Sequence, residues 1–348
     1  MKPNLTAIPQ GTRTFLFEEA ELKRRIEQEI YLRLKEKGFQ EIVTPLLEYY
    51  DAAVVGLSDD GRNRVVRFAE EESGRSIALR ADITSQVARS AATHLANQPL
   101  PLKLCYNGPV FRRTQKGKGE QYVLNQSGME IIGDATPLAD AEIIAAIMTI
   151  MDAVNLKSYT ISLGHAGIIG SLIGKINPAS VNGIKLALAK KDKAELEGLL
   201  KKSGADASVS GKIVELAGMF GKYEDFTHKW KDIERLCAGD AEAMSGLQNL
   251  KLFLGAVESS GFANDVGTLT IDFGEMRGFG YYTGIIMELF SDSGLALGAG
   301  GRYDNLVGRF GKNLPAVGFA FDVDKMMEAV MREHSGTELK ELMAKLGK

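Results

Sequence analysis

Leu22, Ile26, Ile30 and Leu34 recur at helical spacing across Phe17–Lys37, and Gly38 follows as a stop, which predicts one long amphipathic helix. An extended leader, Pro3–Arg13, precedes it. Phe39–Leu47 then reads as a strand broken by Pro45, and a proline, having no N–H for a ladder, confines such a strand to a sheet edge or a subunit contact. That edge offers a dimer seam. Val65–Phe68 and Ser76–Arg80, joined by the turn-like Glu70-Glu-Glu-Ser-Gly74, predict a hairpin. Asp82-Ile-Thr-Ser opens a helix running to about His94, with Asp82 or Thr84 as candidate cap.

Leu102–Phe111 and Tyr122–Ile132 predict two strands joined by the basic, glycine-containing loop Arg112–Glu120. Pro137–Val154 is a strongly apolar helix and Tyr159–Leu163 a strand. From Ala166 to Gly261 the texture turns helical, with the capping pattern Asp192-x-x-Glu195 and a glycine stop at Gly204. The lysines of Lys185–Lys202 alternate with acids and leucines, as on a solvated amphipathic face rather than a nucleic-acid patch. Strand pattern resumes at Val266–Phe273, Ile285–Phe290, Gly298–Asp304 and Pro315–Phe321, and Val323–Lys348 is a helical tail. Short antiparallel-looking strands on both sides of a helical block predict an α+β fold with an insertion. The expected divisions are a core of residues 1–165 and 264–348 and a helical insertion of 166–263.

Composition narrows the function classes. The 348 residues, 45% hydrophobic and 25% charged, suit a soluble globular protein. A formal net charge of -3 supplies no global attraction to phosphate backbones, so a nucleic-acid partner is not expected. Cys105 and Cys237 suit free thiols, Cys105 as core packing on an apolar strand. His94, His165, His228 and His334 form neither HxxxH nor HxH, so no metal site is expected. Neither GxGxxG after a strand nor GxxxxGK[ST] occurs, and no cofactor is expected. The N-terminus lacks a basic-then-apolar leader and no apolar run spans a bilayer, which points to the cytoplasm and away from membranes.

One stretch concentrates chemistry. Gly274-Glu-Met-Arg-Gly-Phe-Gly-Tyr-Tyr-Thr-Gly284 holds one guanidinium, two phenols and four glycines between strand-like apolar runs. A buried Arg277 answers either a ligand anion or a structural carboxylate, and Tyr281 and Tyr282 are either ligand contacts or half-buried packing. Arg302 and Asp304 either pair to fix a glycine turn or touch a ligand; Gly300 and Gly301 serve close backbone approach or positive φ. His165 reads as a satisfied loop histidine, and Lys116 and Lys118 as a solvated loop tip.

The order of segments is familiar. Gly38-Phe-Gln-Glu-Ile-Val-Thr-Pro45 resembles motif 1 of the class II aminoacyl-tRNA synthetases, Gly108-Pro-Val-Phe-Arg112 with Asn125-Gln-Ser-Gly-Met-Glu130 resembles motif 2, and Ala316-Val-Gly-Phe-Ala320 begins motif 3. Arg277-Gly-x-x-Tyr-Tyr282 and Gly300-Gly-Arg-Tyr-Asp304 are similar to signatures of the histidyl-tRNA synthetase branch, and the match covers nearly the whole chain. The resemblance implies an antiparallel sheet flanked by helices. It also implies a histidine site in which Asp82 and Thr84 take the α-ammonium, Arg277 the carboxylate, and Gln126, Glu130 and Tyr282, beside Tyr281, surround the imidazole.

The departures fall on the ATP side. Lys325 stands where motif 3 has an arginine, and lysine lacks the planar bidentate fork. Thr114 replaces the motif 2 glutamate, Glu120 and Tyr122 replace loop arginines, and Gly280 replaces an aspartate. Phosphate contact would fall mainly to Arg112, and each lost preorganised donor costs about 2.7–4 kcal/mol of transition-state stabilisation. Little more than a helix follows Phe321, so an anticodon-binding domain is not expected.

The run Leu79-Arg-Ala-Asp-Ile-Thr-Ser-Gln-Val-Ala-Arg89 is similar to the signature of the synthetase-like regulatory subunits of ATP phosphoribosyltransferase. That resemblance implies no catalysis here, activation of the short-form catalytic subunit in a hetero-octamer of the two chains, and histidine as the feedback effector. Two other readings stand beside it: a truncated synthetase relative that adenylates an amino acid for a non-tRNA acceptor, and a protein-binding module with a vestigial pocket.

Overall fold

The computed structural model describes residues 5–113, 121–226, 228–259, 268–276 and 281–346. Helix α1 (Phe17–Glu36) buries the predicted stripe Leu22, Ile26, Ile30 and Leu34, and Gly38 turns the chain away with φ +85°. The strand expected over Phe39–Leu47 is realised as two short pieces, β1 (Gln40–Glu41) and β2 (Leu47–Tyr49), in different sheets. Pro45 lies between them. Its carbonyl accepts from Gln86 Nε2 at 2.9 Å, and Thr44 Oγ1 donates to Gln86 Oε1 at 2.7 Å, so side chains serve where a ladder would.

Two short helices, α2 (Tyr50–Ala53) and α3 (Asp59–Asn63), lead to the predicted hairpin, β3 (Arg67–Ala69) and β4 (Ser76–Leu79), which forms a small sheet in the order β2-β4-β3. Helix α4 (Thr84–Ala92) follows. The long hairpin is β5 (Leu102–Phe111) with β6 (Val123–Ile132), in register from Leu102 opposite Ile132 to Phe111 opposite Val123. Lys116 and Lys118 at its tip, with Thr114 and Glu120, lie outside the described residues. Helix α5 (Pro137–Ala153) and β7 (Tyr159–His165) complete the first part.

Residues 166–259 carry α6 (Ala166–Ile173), α7 (Pro178–Ala189), α8 (Lys193–Lys202), α9 (Ala207–Ala217), α10 (Trp230–Cys237) and α11 (Ala241–Ser259). Asp192 caps α8 by accepting from Glu195 N at 2.9 Å, and Gly204 has φ +69°, as the pattern predicts. A strand that helical periodicity does not reveal, β8 (Phe220–Lys222), interrupts the helices and joins the main sheet. After it come β9 (Leu269–Asp272), β10 (Ile285–Ser291), β11 (Ala296–Arg302) and β12 (Ala316–Asp322). The tail expected as one helix is two, α12 (Val323–Glu333) and α13 (Gly336–Lys345), parted where His334 Nε2 meets Asn155 O at 2.8 Å.

The main sheet has nine strands in the order β1-β5-β6-β12-β11-β10-β7-β9-β8; β1/β5 and β7/β9 are parallel and the other pairs antiparallel. One apolar core joins α1, α5 and α12 to one face and runs on into the helices of 166–259; Cys105 and Cys237 are buried in it as free thiols. On the other face, Ile83, Val87, Ala88 and Ala91 pack with Tyr106, Tyr303 and Leu306. The candidate site lies on that second face.

Candidate functional site

Strand β6 sets the floor. Gln126, Gly128 and Glu130 alternate onto one face by the two-residue period of a strand. Glu130 needs space beneath it: a Cβ on Gly318 of the neighbouring β12 would sit 1.5 Å from Glu130 Oε2. On β11, a Cβ at Gly300 would stand 2.2 Å from Gly318 O, so this glycine is there for close backbone approach. A side chain at either glycine would collide with Glu130 or with the neighbouring strand.

Three hydroxyls converge on Glu130. Tyr303 donates to Oε2 at 2.5 Å; Thr84, at the start of α4, and Tyr106, on β5, donate to Oε1 at 2.8 Å and 3.1 Å. Burial pushes the Glu130 carboxyl up to about 8, held back by these hydroxyls and raised further by Asp82 nearby. Asp82 is also buried and its pKa raised by desolvation, against the pull of Arg112, the amides of Thr84 and Ile83, and the Tyr281 hydroxyl. Its Oδ1, like Gln126 Oε1, is buried with no hydrogen-bond partner among the described residues. Neither Asp82 nor Thr84 makes a regular side-chain cap for α4; both turn to the site instead.

The tyrosine pair forms a wall. The rings of Tyr281 and Tyr282 meet edge to face at 5.1 Å, and Tyr281 meets Tyr303 in the same way at 5.6 Å. Asp82, Thr84, Glu130, Tyr281, Tyr282 and Tyr303 together line a narrow cavity with room for little more than a water molecule, about 10 Å³. On the far side of the pair, a larger cavity of about 560 Å³ is lined by Arg62, Asn305 and Arg309. Burial raises the pKa of every one of these phenols, so they act as neutral donors and acceptors. Two carboxyls amid hydroxyls suit a ligand rich in N–H donors or bearing positive charge.

Of the residues expected in a histidine site, five line the small cavity: Asp82, Thr84, Glu130, Tyr281 and Tyr282. Gln126 shares the face of β6 but stands four residues along, opposite Asp322 of β12, and outside that lining. Arg277 lies outside the described residues. Tyr106 and Tyr303 belong to the site and escape single-sequence reading, although Tyr303 sits inside Gly300-Gly-Arg-Tyr-Asp304. Arg302 instead makes a buried ion pair with Asp140, a second with Asp304 at 3.2 Å, and bonds to the carbonyls of Asp134 and Thr136. Its role in the described structure is to join elements. His165 is likewise structural: its Nδ1 accepts from Gly167 N at 3.1 Å at the start of α6, and burial lowers its pKa to about 4.

Comparison with known proteins bears on the whole chain. A histidyl-tRNA synthetase family profile matches residues 11–326. The ATP phosphoribosyltransferase regulatory subunit of Geobacter sulfurreducens is 34% identical over 93% of this chain and 73% of its own length. That of Carboxydothermus hydrogenoformans is 30% identical over 95% of this chain and 98% of its own. The chain belongs to the family of ATP phosphoribosyltransferase regulatory subunits. Among solved structures, an ATP phosphoribosyltransferase regulatory subunit/histidyl-tRNA synthetase from Bacillus halodurans superposes with a TM-score of 0.84 at 25% identity, covering 95% of this chain and 84% of that one. The histidyl-tRNA synthetase of Nostoc sp. PCC 7120 shares the fold, with a TM-score of 0.78 at 22% identity over 94% of this chain and 76% of its own.

In this chain the end of the sheet that the resemblance assigns to ATP carries several acidic side chains. Lys325, in the motif 3 arginine position, is half exposed and pairs with Asp322 Oδ2 at 3.6 Å, while Asp322 Oδ1 caps α12 through Lys325 N. Asp324 accepts from Asn125 Nδ2 at 3.2 Å. Arg112 donates its Nε to Ala81 O at 2.8 Å, beside Asp82, and its charge also reaches Asp322. Among the described residues no group of three or more His, Cys, Asp or Glu side chains could hold a metal ion, and no helix is long and apolar enough to cross a membrane.

Proposed function

We propose that this chain activates a short-form catalytic subunit of ATP phosphoribosyltransferase, which joins ATP to phosphoribosyl pyrophosphate in the first step of histidine biosynthesis, and makes it answer to histidine. The observation that carries the effector half is the buried Glu130, ringed by three hydroxyls and neighboured by Asp82 in one small cavity. Asp82 and Thr84 would take the ligand's α-ammonium, Arg277 its carboxylate, and Gln126, Glu130 and Tyr282 the imidazole. A cationic ligand would draw the proton off Glu130, whose raised pKa favours the neutral acid in the empty cavity. Regulation follows only if histidine binds one arrangement of the subunit better than another. Catalysis belongs to the partner chain in this reading, and the assembly is a cytoplasmic hetero-octamer containing synthetase-like dimers. Residues 1–165 and 264–348 serve as one core and 166–263 as its insertion.

The test is phosphoribosyl-ATP formation by a short-form catalytic subunit, with and without this chain, each at zero and saturating histidine. The rate should rise on adding the chain and fall with histidine, and Thr84→Val and Arg277→Ala should abolish the fall while leaving the rise. Activation that ignores histidine would remove the effector half. No activation, together with amino-acid-dependent ATP–pyrophosphate exchange by the chain alone, would replace this reading with an adenylating enzyme.

A further inference from the structure

The tyrosine wall of the cavity is held by residues far from it in sequence. Upstream, β9 ends at Asp272, whose carboxylate pairs with Lys191 Nζ in the turn between α7 and α8 and accepts Gly274 N at 2.9 Å. Phe273 N donates to Met219 O at 3.1 Å, just past α9, and the Phe273 ring lies 5.7 Å from Phe226 and 6.4 Å from Trp230. Gly274 lies so close to α9 that a Cβ there would be 3.0 Å from Ala217 Cα and 3.1 Å from its carbonyl oxygen. Downstream, Ala166 N, the first residue of α6, donates to Gly284 O at 2.8 Å. Both flanks of the chain that carries Tyr281 and Tyr282 are therefore fastened to the helical stretch 166–259.

We propose that this helical stretch is a positioning arm for the pocket: Lys191, Ala217 and Met219 on one flank and Ala166 on the other set where Tyr281 and Tyr282 stand. The pair partitions two cavities, and Gly56, with φ +83°, is the approach of a neighbouring segment to Tyr281, where a Cβ would lie 2.8 Å from the ring. A shift of α6 meets the chain at the Ala166–Gly284 backbone bond, two residues beyond Tyr282, and a shift of α9 or of the α7–α8 turn meets it at Asp272–Gly274. By reciprocity, a ligand that prefers one stance of the wall changes the stance of the arm. That the ligand is histidine rests on the function proposed above; the positioning does not.

Amide hydrogen exchange on the full chain tests it, comparing the unsubstituted protein with Gly274→Ala, Lys191→Met and Lys191→Arg. The Thr283 amide, which donates to Arg302 O at 2.7 Å, reports the wall, and the β6 amides of residues 126–132 report the sheet. Gly274→Ala and Lys191→Met should each speed exchange at Thr283 and weaken histidine affinity about tenfold by calorimetry, with β6 unchanged and Lys191→Arg close to the parent. Faster exchange at residues 217–219 with Thr283 unmoved would overturn the proposal, because the joint would have loosened without the wall. Should the unsubstituted chain fail to bind histidine, the function proposed above fails while the Thr283 comparison still decides the positioning. If Gly274→Ala does not fold, Lys191→Met, at a half-exposed lysine, gives the same decision.

Discussion

At the scale of single residues, Glu130 is a carboxyl that burial moves far from its behaviour in water. Its carboxyl titrates near 8 in the fold against 4.5 in the unfolded chain, so between those values the folded state holds the extra proton. The sign follows: stability from this group is fully present below 4.5 and is lost as pH rises towards 8, by on the order of 5 kcal/mol at most. Glu130→Gln cannot titrate but keeps the shape of the neutral acid. Urea unfolding of both proteins at about pH 5 and about pH 8 should show the parent losing ground to the variant at the higher pH. A difference that does not change with pH would mean that Glu130 titrates outside this window. Glu130 and Thr84 stand out in the sequence because family signatures contain them. Tyr106 does not, because its partner lies across the β5/β6 ladder, and which residues face each other across a hairpin depends on register that one strand's pattern cannot supply.

At the scale of elements, the Arg302–Asp140 pair fastens β11 to α5 and to the turn before it. Both side chains are almost fully buried, and the guanidinium also satisfies the carbonyls of Asp134 and Thr136. Burial pushes the Asp140 carboxyl up to about 6 even with the arginine beside it, a sign that desolvation is only partly offset. Arg302→Ala strands that carboxylate and should cost about 3–5 kcal/mol in denaturant unfolding near neutral pH. The double variant Arg302→Met, Asp140→Leu should recover most of the loss. If the double variant is no better than the single one, the carbonyl bonds rather than the ion pair carry the contribution. Elements with strong periodicity, such as α1, α5, β5 and β6, were legible because their burial patterns and stops are local. The strand expected at Phe39–Leu47 fragments because Pro45 hands its carbonyl to Gln86, and β8 is hidden because three residues among helices carry no period to read.

At the scale of the whole molecule, the same proline-marked segment exposes a run of large apolar side chains. Val43 is 84% exposed, and Leu46, Leu47, Tyr49 and Phe68, on or beside the small sheet, are each more than 40% exposed. Scattered apolar residues on a surface need no explanation, but five that fall within one short segment and the hairpin paired to it are a candidate contact with another chain. A second copy is the occupant proposed here, since a self-complementary patch closes as a twofold dimer and leaves no open edge. Val43→Asp with Leu47→Asp places two charges in that seam while leaving the buried faces of α1 and β4 untouched. Sedimentation equilibrium of the parent should then give a dimer and that of the double variant a monomer with unchanged far-ultraviolet dichroism. A double variant that remains dimeric would move the self-contact elsewhere, and the helical stretch 166–259, with Leu186, Phe220 and Leu252 exposed, would be the next surface to substitute. Because α4 is tied to this segment through Gln86 and Arg89, which bond Pro45 O and Glu48, and begins at Thr84 in the pocket, a true seam also predicts that the monomeric variant binds histidine more weakly than the dimer. Equal affinity in the two proteins would separate self-association from the pocket and leave the insertion as its proposed mechanical input.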